Sequence, residues 1–356
     1  MTTELTGREL ASASLSRAVM LADAITSDQL ARGTVLSWHW GPALLGEALT
    51  RLEDHLGEQR YDTWLRRWAD HHLAAGPAVD QSDTAAPGLI TLALWSRPGG
   101  DAYVPLTEAV AHYVRSEPRL TGELCNHLGH SLIGRFYPRS VWVDSLMMFG
   151  VFPARYGVAT GDAAMIDIAA GQPEAAAALM QHDNGLWAHA WWAKAGHAYP
   201  GSSICWARGN GWVIAALPMI TAELSADHPR RAGIVDVLTR TSDALVDLQR
   251  ADGTWATLLA GGGYRELSAT ALIAAGWYDA VAQELLPDSY VPRADRALAA
   301  VTAAVRPDAM PEISGPTIPL PLLPELGYRV IPRGDNHPYG VAAFLWAAIN
   351  RDRLGA

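Results

Sequence analysis

Asn210-Gly211-Trp212-Val213-Ile214-Ala215-Ala216-Leu217-Pro218-Met219-Ile220 is apolar on every side when wound as a helix. A helix without a polar stripe has to be enclosed by other elements. From Gly211 to Ile220 it runs about ten residues, short of the roughly 20 that cross a bilayer, so it reads as the wall of a core. Outward from it, apolar spacing at i, i+3 and i+4 predicts further helices. Upstream these cover Glu9 to Ile25, Pro42 to His55, Tyr61 to Ala74, Ala85 to Trp95, Ala102 to Arg115, Val143 to Val158 and Ala163 to Asp183. The central one extends over Asn210 to Leu224, and Arg231 to Gln249, Glu266 to Ala282, Ala294 to Val305 and Gly340 to Arg351 follow it. Almost no alternating run is long enough for a strand. Pro153, Pro173 and Pro218 fall inside three of these segments and should kink or break them. The connections are short and carry turn residues, as in Arg97-Pro98-Gly99-Gly100 and Arg250-Ala251-Asp252-Gly253. Twelve helices in hairpin succession predict an all-α ring of six antiparallel pairs. Its inner helices are apolar nearly all round, its outer ones are amphipathic, and its site lies on the loops of one rim. No low-complexity linker divides residues 1–356, which read as a single domain, and the Pro-rich segment from Pro307 to Pro338 reads as an ordered loop crossing a rim.

Composition narrows the function classes. Hydrophobic residues make up 49% of the chain and charged ones 18%, enough to bury a large core. The formal charge of −10 argues against nucleic acid, which needs basic patches. No segment predicts a membrane span, and Met1-Thr2-Thr3-Glu4 begins no basic-then-apolar leader. Cys125 and Cys205 lie far apart and read as buried reduced thiols of a cytoplasmic protein. His127 and His130 lack partners at metal-ligand spacing, so neither a metal nor another cofactor is expected. Fourteen tryptophans against four phenylalanines is a skew that core packing alone does not explain. Indole is flat, amphipathic and carries one donor, which suits stacking against sugar faces in a wet cleft. About half of these indoles should be structural, since Trp is usually well buried.

Three constellations carry the chemistry. In Tyr137-Pro138-Arg139-Ser140-Val141-Trp142-Val143-Asp144-Ser145-Leu146-Met147-Met148, Asp144 occupies an apolar face. Burial there would raise its pKa toward that of a general acid, unless it merely caps the helix it opens. In Asn184-Gly185-Leu186-Trp187-Ala188-His189-Ala190-Trp191-Trp192, the residues Trp187, His189 and Trp191 alternate and would share one side of an extended loop. His189 reads either as a substrate contact between indoles or as a core histidine. In Trp206-Ala207-Arg208-Gly209-Asn210-Gly211-Trp212, a guanidinium stands at a helix N-terminus and offers an anion receptor. The competing reading is a tight turn in which Arg208 pairs with a neighbouring acid. Asp80-Gln81-Ser82-Asp83 adds carboxylates before a helix, one a cap and the other a second site acid. Trp38-His39-Trp40 and Gly262 to Thr270 complete the candidates.

Trp-Val-Asp-Ser-Leu-Met-Met at 142–148, Gly-Leu-Trp-Ala-His-Ala-Trp at 185–191 and Trp-Ala-Arg-Gly-Asn-Gly-Trp at 206–212 stand in one family's order and spacing. The chain resembles glycoside hydrolase family 105, the unsaturated rhamnogalacturonyl hydrolases, and the related unsaturated glucuronyl hydrolases of family 88. Glu266 to Thr270 resembles that family's Glu-x-Ser-Ala-Thr segment, so the resemblance covers most of the chain. It implies an (α/α)6 barrel and a hydrolase that hydrates the C4–C5 double bond of a 4,5-unsaturated uronate at the end of an oligosaccharide. By resemblance Asp144 protonates C4 and activates water, and Asp83 is the second aspartate of the site. His189, Trp206, Arg208 and Trp212 hold the ring, with Trp187, Trp191 and Trp40 as further substrate contacts. The chain departs from the pattern at Ala86, where the family carries Asn, and at Ile133-Gly134-Arg135-Phe136, where a His-Lys pair is missing. These departures keep open an alternative, a non-hydrolytic toroid acting as an isomerase or lyase-like enzyme in specialised metabolism.

Overall fold

The computed structural model describes residues 6–320 and 322–355. Twelve long helices form where the apolar spacing places them. They are α1 (Gly7–Arg32), α2 (Trp40–Leu56), α3 (Asp62–Ala75), α4 (Gly88–Trp95), α5 (Val104–Ser116) and α6 (Val151–Thr160) in the first half. The second half holds α7 (Ala163–Met180), α8 (Ala207–Thr221), α9 (Arg231–Val246), α10 (Leu267–Ala282), α11 (Val291–Ala304) and α12 (Pro338–Gly355). The even-numbered helices pack each on the next, and α12 returns to α2, so they close an inner ring. Odd-numbered helices lie outside, which makes an (α/α)6 barrel. The division follows the sequence: every residue of α8 is buried, whereas α1 buries only the stripe Leu10, Ser14, Ala18, Leu21, Ala22 and Ile25.

Proline explains where the helices depart from expectation. The 143–158 segment divides into a turn at Ser145–Met148 and α6, breaking at Phe149-Gly150. Pro153 lacks the N–H that would continue the helix back across that break. Likewise Pro87 separates the turn Ser82–Ala85 from α4. Pro218 stays inside α8 and leaves the Ile214 carbonyl without its helical donor. Helix α10 meets that carbonyl with Gly276, where an added Cβ would stand 2.1 Å from the oxygen.

The rim carries more extended backbone than the sequence signals. Ser140–Trp142, Ala190–Trp192 and His197–Tyr199 form a three-stranded antiparallel sheet in which Trp142 pairs with Ala190. Strands of three residues are too short for alternation to register. Residues 307–338 are not a plain loop. Ile313–Ser314 pairs with Arg333–Gly334, and Pro324–Arg329 is helical. Across the barrel axis, the buried Glu47 of α2 accepts from Arg155 of α6 at 2.8 Å, from Arg51, and from the Trp346 indole of α12. None of the described helices is long and apolar enough to cross a membrane.

Candidate active site

A cavity of about 480 Å³ opens at the rim that holds the short strands. Its inner wall combines His39, Trp40, Asp83, His127, Trp142 and Asp144, contributed by four separate loops. Strand pairing sets Asp144: Val143 N–H donates to the His189 carbonyl at 2.9 Å, carrying the next residue toward the His189 ring. Close approach requires Gly209, where a Cβ would lie 2.9 Å from Val143 Cγ1 and 3.1 Å from the Trp206 ring. Asn210 holds the facing loop, accepting from Trp187 N–H at 2.8 Å and donating to the Trp187 and Trp206 carbonyls.

Two carboxylate–imidazole pairs result, one on each side of the Trp142 indole. His127 Nε2 lies 3.3 Å from Asp83 Oδ1, and its ring stacks on Trp142 at 4.1 Å. His189 Nε2 lies 3.3 Å from Asp144 Oδ2, with its ring edge-on to Trp142 at 5.8 Å. The second approach is off the line of a hydrogen bond, so Asp144 Oδ2 and His189 Nε2 are both buried and unpaired. Buried polar atoms are rarely left so unless a ligand is to meet them. His189 Nδ1 is 2.6 Å from the Tyr328 hydroxyl, whose pKa burial pushes upward. The phenol therefore keeps its proton and donates to Nδ1, leaving the imidazole proton on Nε2, toward Asp144.

The electrostatics correct one expectation. Burial on its own raises the Asp144 carboxyl, but His189, then His127 and Arg208, outweigh it and hold the group below its ordinary value. Burial in turn lowers His189, against the pull of Asp144. The resting site thus pairs a carboxylate with a neutral imidazole, and the raised acid predicted from an apolar surround is not its resting state. Nor does Asp144 cap its helix, since its side chain makes no capping hydrogen bond.

The remaining sequence candidates separate. Asp83, Asp144 and Trp40 line the cavity, and His189 supports Asp144 from behind. Arg208 is fully buried and outside the lining. Its terminal nitrogens donate to the Ser314 and Gly315 carbonyls at 2.8 and 2.7 Å, and one lies 3.7 Å from Glu266. The reading of Arg208 as paired to an acid in a turn therefore describes it better than a free anion receptor. Trp187 is a core residue whose indole donates to Thr241 of α9 at 2.9 Å. Trp212 is fully buried and meets the cavity only through Trp40, edge-on at 6.0 Å. Trp206 is buried against His189 at 4.5 Å, and Trp191 packs into the main core, so the alternating residues do not share one cavity. The sequence reading passed over His39, Trp142, Tyr328 and above all His127, which was weighed only as a metal ligand. Nothing local marks His127, because its partner Asp83 lies on another hairpin.

The comparisons agree with this architecture. The family model described as Glycosyl Hydrolase Family 88 matches residues 19–354. The unsaturated rhamnogalacturonyl hydrolase YesR of Bacillus subtilis (strain 168) is 28% identical over 276 residues, 76% of this chain and 77% of that protein. A possible member of the GH105 family from Salmonella enterica superimposes with a TM-score of 0.82 at 23% identity, over 100% of this chain and 97% of the other. The unsaturated glucuronyl hydrolase of Bacillus sp. GL1 superimposes with a TM-score of 0.75 at 17% identity, over 95% and 97% of the two chains. At these identities the structures speak for the fold alone, but the family match spans almost the whole ring. The chain belongs to glycosyl hydrolase family 88 and is an enzyme of the glycoside hydrolase class.

Proposed function

We propose that this enzyme removes a 4,5-unsaturated uronic acid from the non-reducing end of lyase-generated oligosaccharides by hydrating the C4–C5 double bond. The observation that carries the reading is the buried, unpaired Oδ2 of Asp144 at the inner end of a cavity also lined by Asp83, His127 and Trp142. Asp144 donates a proton to C4, and its carboxylate then takes one from the water that adds its oxygen to C5, so the residue ends as it began. In the hemiketal formed, the bond from C5 to the ring oxygen breaks to give a ketone. The C1 hemiacetal so exposed then collapses to an aldehyde and releases the aglycone as an alcohol. Because Asp144 rests ionised, substrate has to favour its acid form, and a uronate carboxylate that excludes water from the cavity acts in that direction. Asp83, poised beside His127 and His39, accepts hydrogen bonds from the ring hydroxyls and orients the double bond. His189 positions Asp144, and Arg208 and Trp206 hold the tail and the His189 ring in place. No metal or other cofactor enters this scheme. The catalytic unit is the single domain of residues 1–356. Its buried thiols, Cys125 pushed up to about 11 and Cys205 up to about 12, fit a cytoplasmic setting.

The test follows the enol-ether absorbance of an unsaturated uronyl disaccharide. Wild type should bleach it, and Asp144→Asn should lower kcat by about 10²–10⁴-fold, the usual worth of a positioned acid. Equal bleaching by both proteins would remove Asp144 from the acid role. An unchanged signal with wild type would remove the hydration reading.

A further inference from the structure

We propose that the group released from C1 is apolar where it meets the enzyme, an alkyl or aryl aglycone rather than a hydrated sugar chain. This rests on the uronide reading of the cavity given above. The cavity is chemically two-sided: its inner end holds Asp83, Asp144, His39 and His127, while Ile133, Tyr137, Pro316, Ile318 and Leu320 build its mouth. The two mouth segments, residues 131–137 and 316–320, have already spent much of their hydrogen-bonding capacity on the protein. Tyr137 donates its hydroxyl to the Pro319 carbonyl, and Tyr199 donates to that of Leu320, each at 2.7 Å. Pro316 and Pro319 have no N–H to offer. Neither Arg135 nor Arg139 is among the lining residues, so no guanidinium or ammonium awaits a sulfate or a second uronate there.

What the mouth does offer is exposed hydrocarbon. Ile133 is 63% exposed and Ile318 44%, and beside Ile133 stand Leu132 at 70% and Phe136 at 85%. Large apolar side chains gathered at a cavity entrance mark a binding surface rather than chance exposure. A sugar seated between Ile133 and Ile318 would give up water from its hydroxyls and find few replacements, which costs free energy for each hydroxyl left unpaired. An alkyl chain or aromatic ring in the same place removes apolar surface from water on both sides. The proposed chemistry tolerates the change, because water adds at C4 and C5 and the aglycone leaves only when the C1 hemiacetal collapses.

The experiment compares three glycosides of one 4,5-unsaturated uronate, with methyl, hexyl and monosaccharide aglycones. Each is followed by loss of enol-ether absorbance with wild type and with an Ile133→Ser/Ile318→Ser double variant. Both positions are solvent-exposed, and the thermal midpoint of the double variant shows whether it is folded. The hexyl compound should exceed both others in kcat/KM by about tenfold or more, the scale expected when several methylenes leave water. Its ratio to the methyl compound should fall toward one in the double variant. A monosaccharide aglycone that is turned over as well as hexyl, or a ratio the double variant leaves unchanged, overturns the proposal while the uronide reading stands. A wild-type dimer in sedimentation that the double variant dissociates, together with no hexyl preference, assigns the mouth to a second copy and overturns it too. Failure to bleach any of the three overturns both readings.

Discussion

Asp144 and His189 divide between them a problem that neither solves alone. The carboxylate is buried, and the imidazole 3.3 Å away outweighs that burial and holds it ionised. In His189→Leu the burial of Asp144 loses its chief counterweight, and its carboxyl should take up a proton at higher pH than in wild type. The titrating limb of kcat/KM assigned to Asp144 should therefore move upward, and a limb that stays in place would separate the two residues. Trp187 belongs to a different ledger: Trp187→Ala should lower stability by about 3–5 kcal/mol, as large-to-small changes of buried aromatics do, read by urea denaturation. At this scale the sequence disclosed a residue where polarity was out of place. Asp144 stood among Val143, Leu146 and Met147, and Asp83 stood before a helix. It misdirected where a residue's partners lie far along the chain. Arg208 reads as an open receptor until the Ser314 and Gly315 carbonyls, 106 and 107 residues later, take its donors.

Helices α8 and α10 show how backbone contact sets an element's place. Pro218 leaves the Ile214 carbonyl free, and Gly276 lets α10 approach it, so Gly276→Ala would drive a methyl into main-chain atoms that cannot rotate away. The variant should lose about 1–3 kcal/mol or more, measured as a fall in the chemical denaturation midpoint, as overpacked cores do. Helix positions were legible because each spans several turns of apolar spacing, and the interior of α8 carries no polar residue to confuse the period. The two breaks followed Pro87 and Pro153 once neighbouring turns were considered. The three-stranded sheet was not legible, since its strands hold three residues each and their pairing joins segments about fifty residues apart. Yet that sheet, not a helix, brings Asp144 to His189.

Closure of the ring leaves a fold whose stability depends on pH through histidines it keeps uncharged. Burial lowers His72, His182, His189 and His337 below the ordinary 6.5. The unfolded chain binds protons at these positions near that pH while the folded one resists, so the unfolded state holds more protons below it. Their contribution is complete above pH 6.5 and is lost as pH falls beneath it. Calorimetry should accordingly find the thermal midpoint steady from pH 8 to 7 and falling toward pH 5.5, and a midpoint that rises on acidification would contradict this. The ring itself was legible as twelve alternating helices, whereas the ion cluster at its axis was not, because Glu47, Arg155 and Trp346 come from three distant hairpins. That cluster has a kinetic meaning. The cavity is walled by the loops of one rim, and behind them Glu47 ties α2 to α6 and α12 across the middle of the ring. The well is blind. Whatever is made at its floor departs by the path along which the next molecule arrives, so turnover is a queue at a single door, and accumulating product slows the enzyme by occupying it.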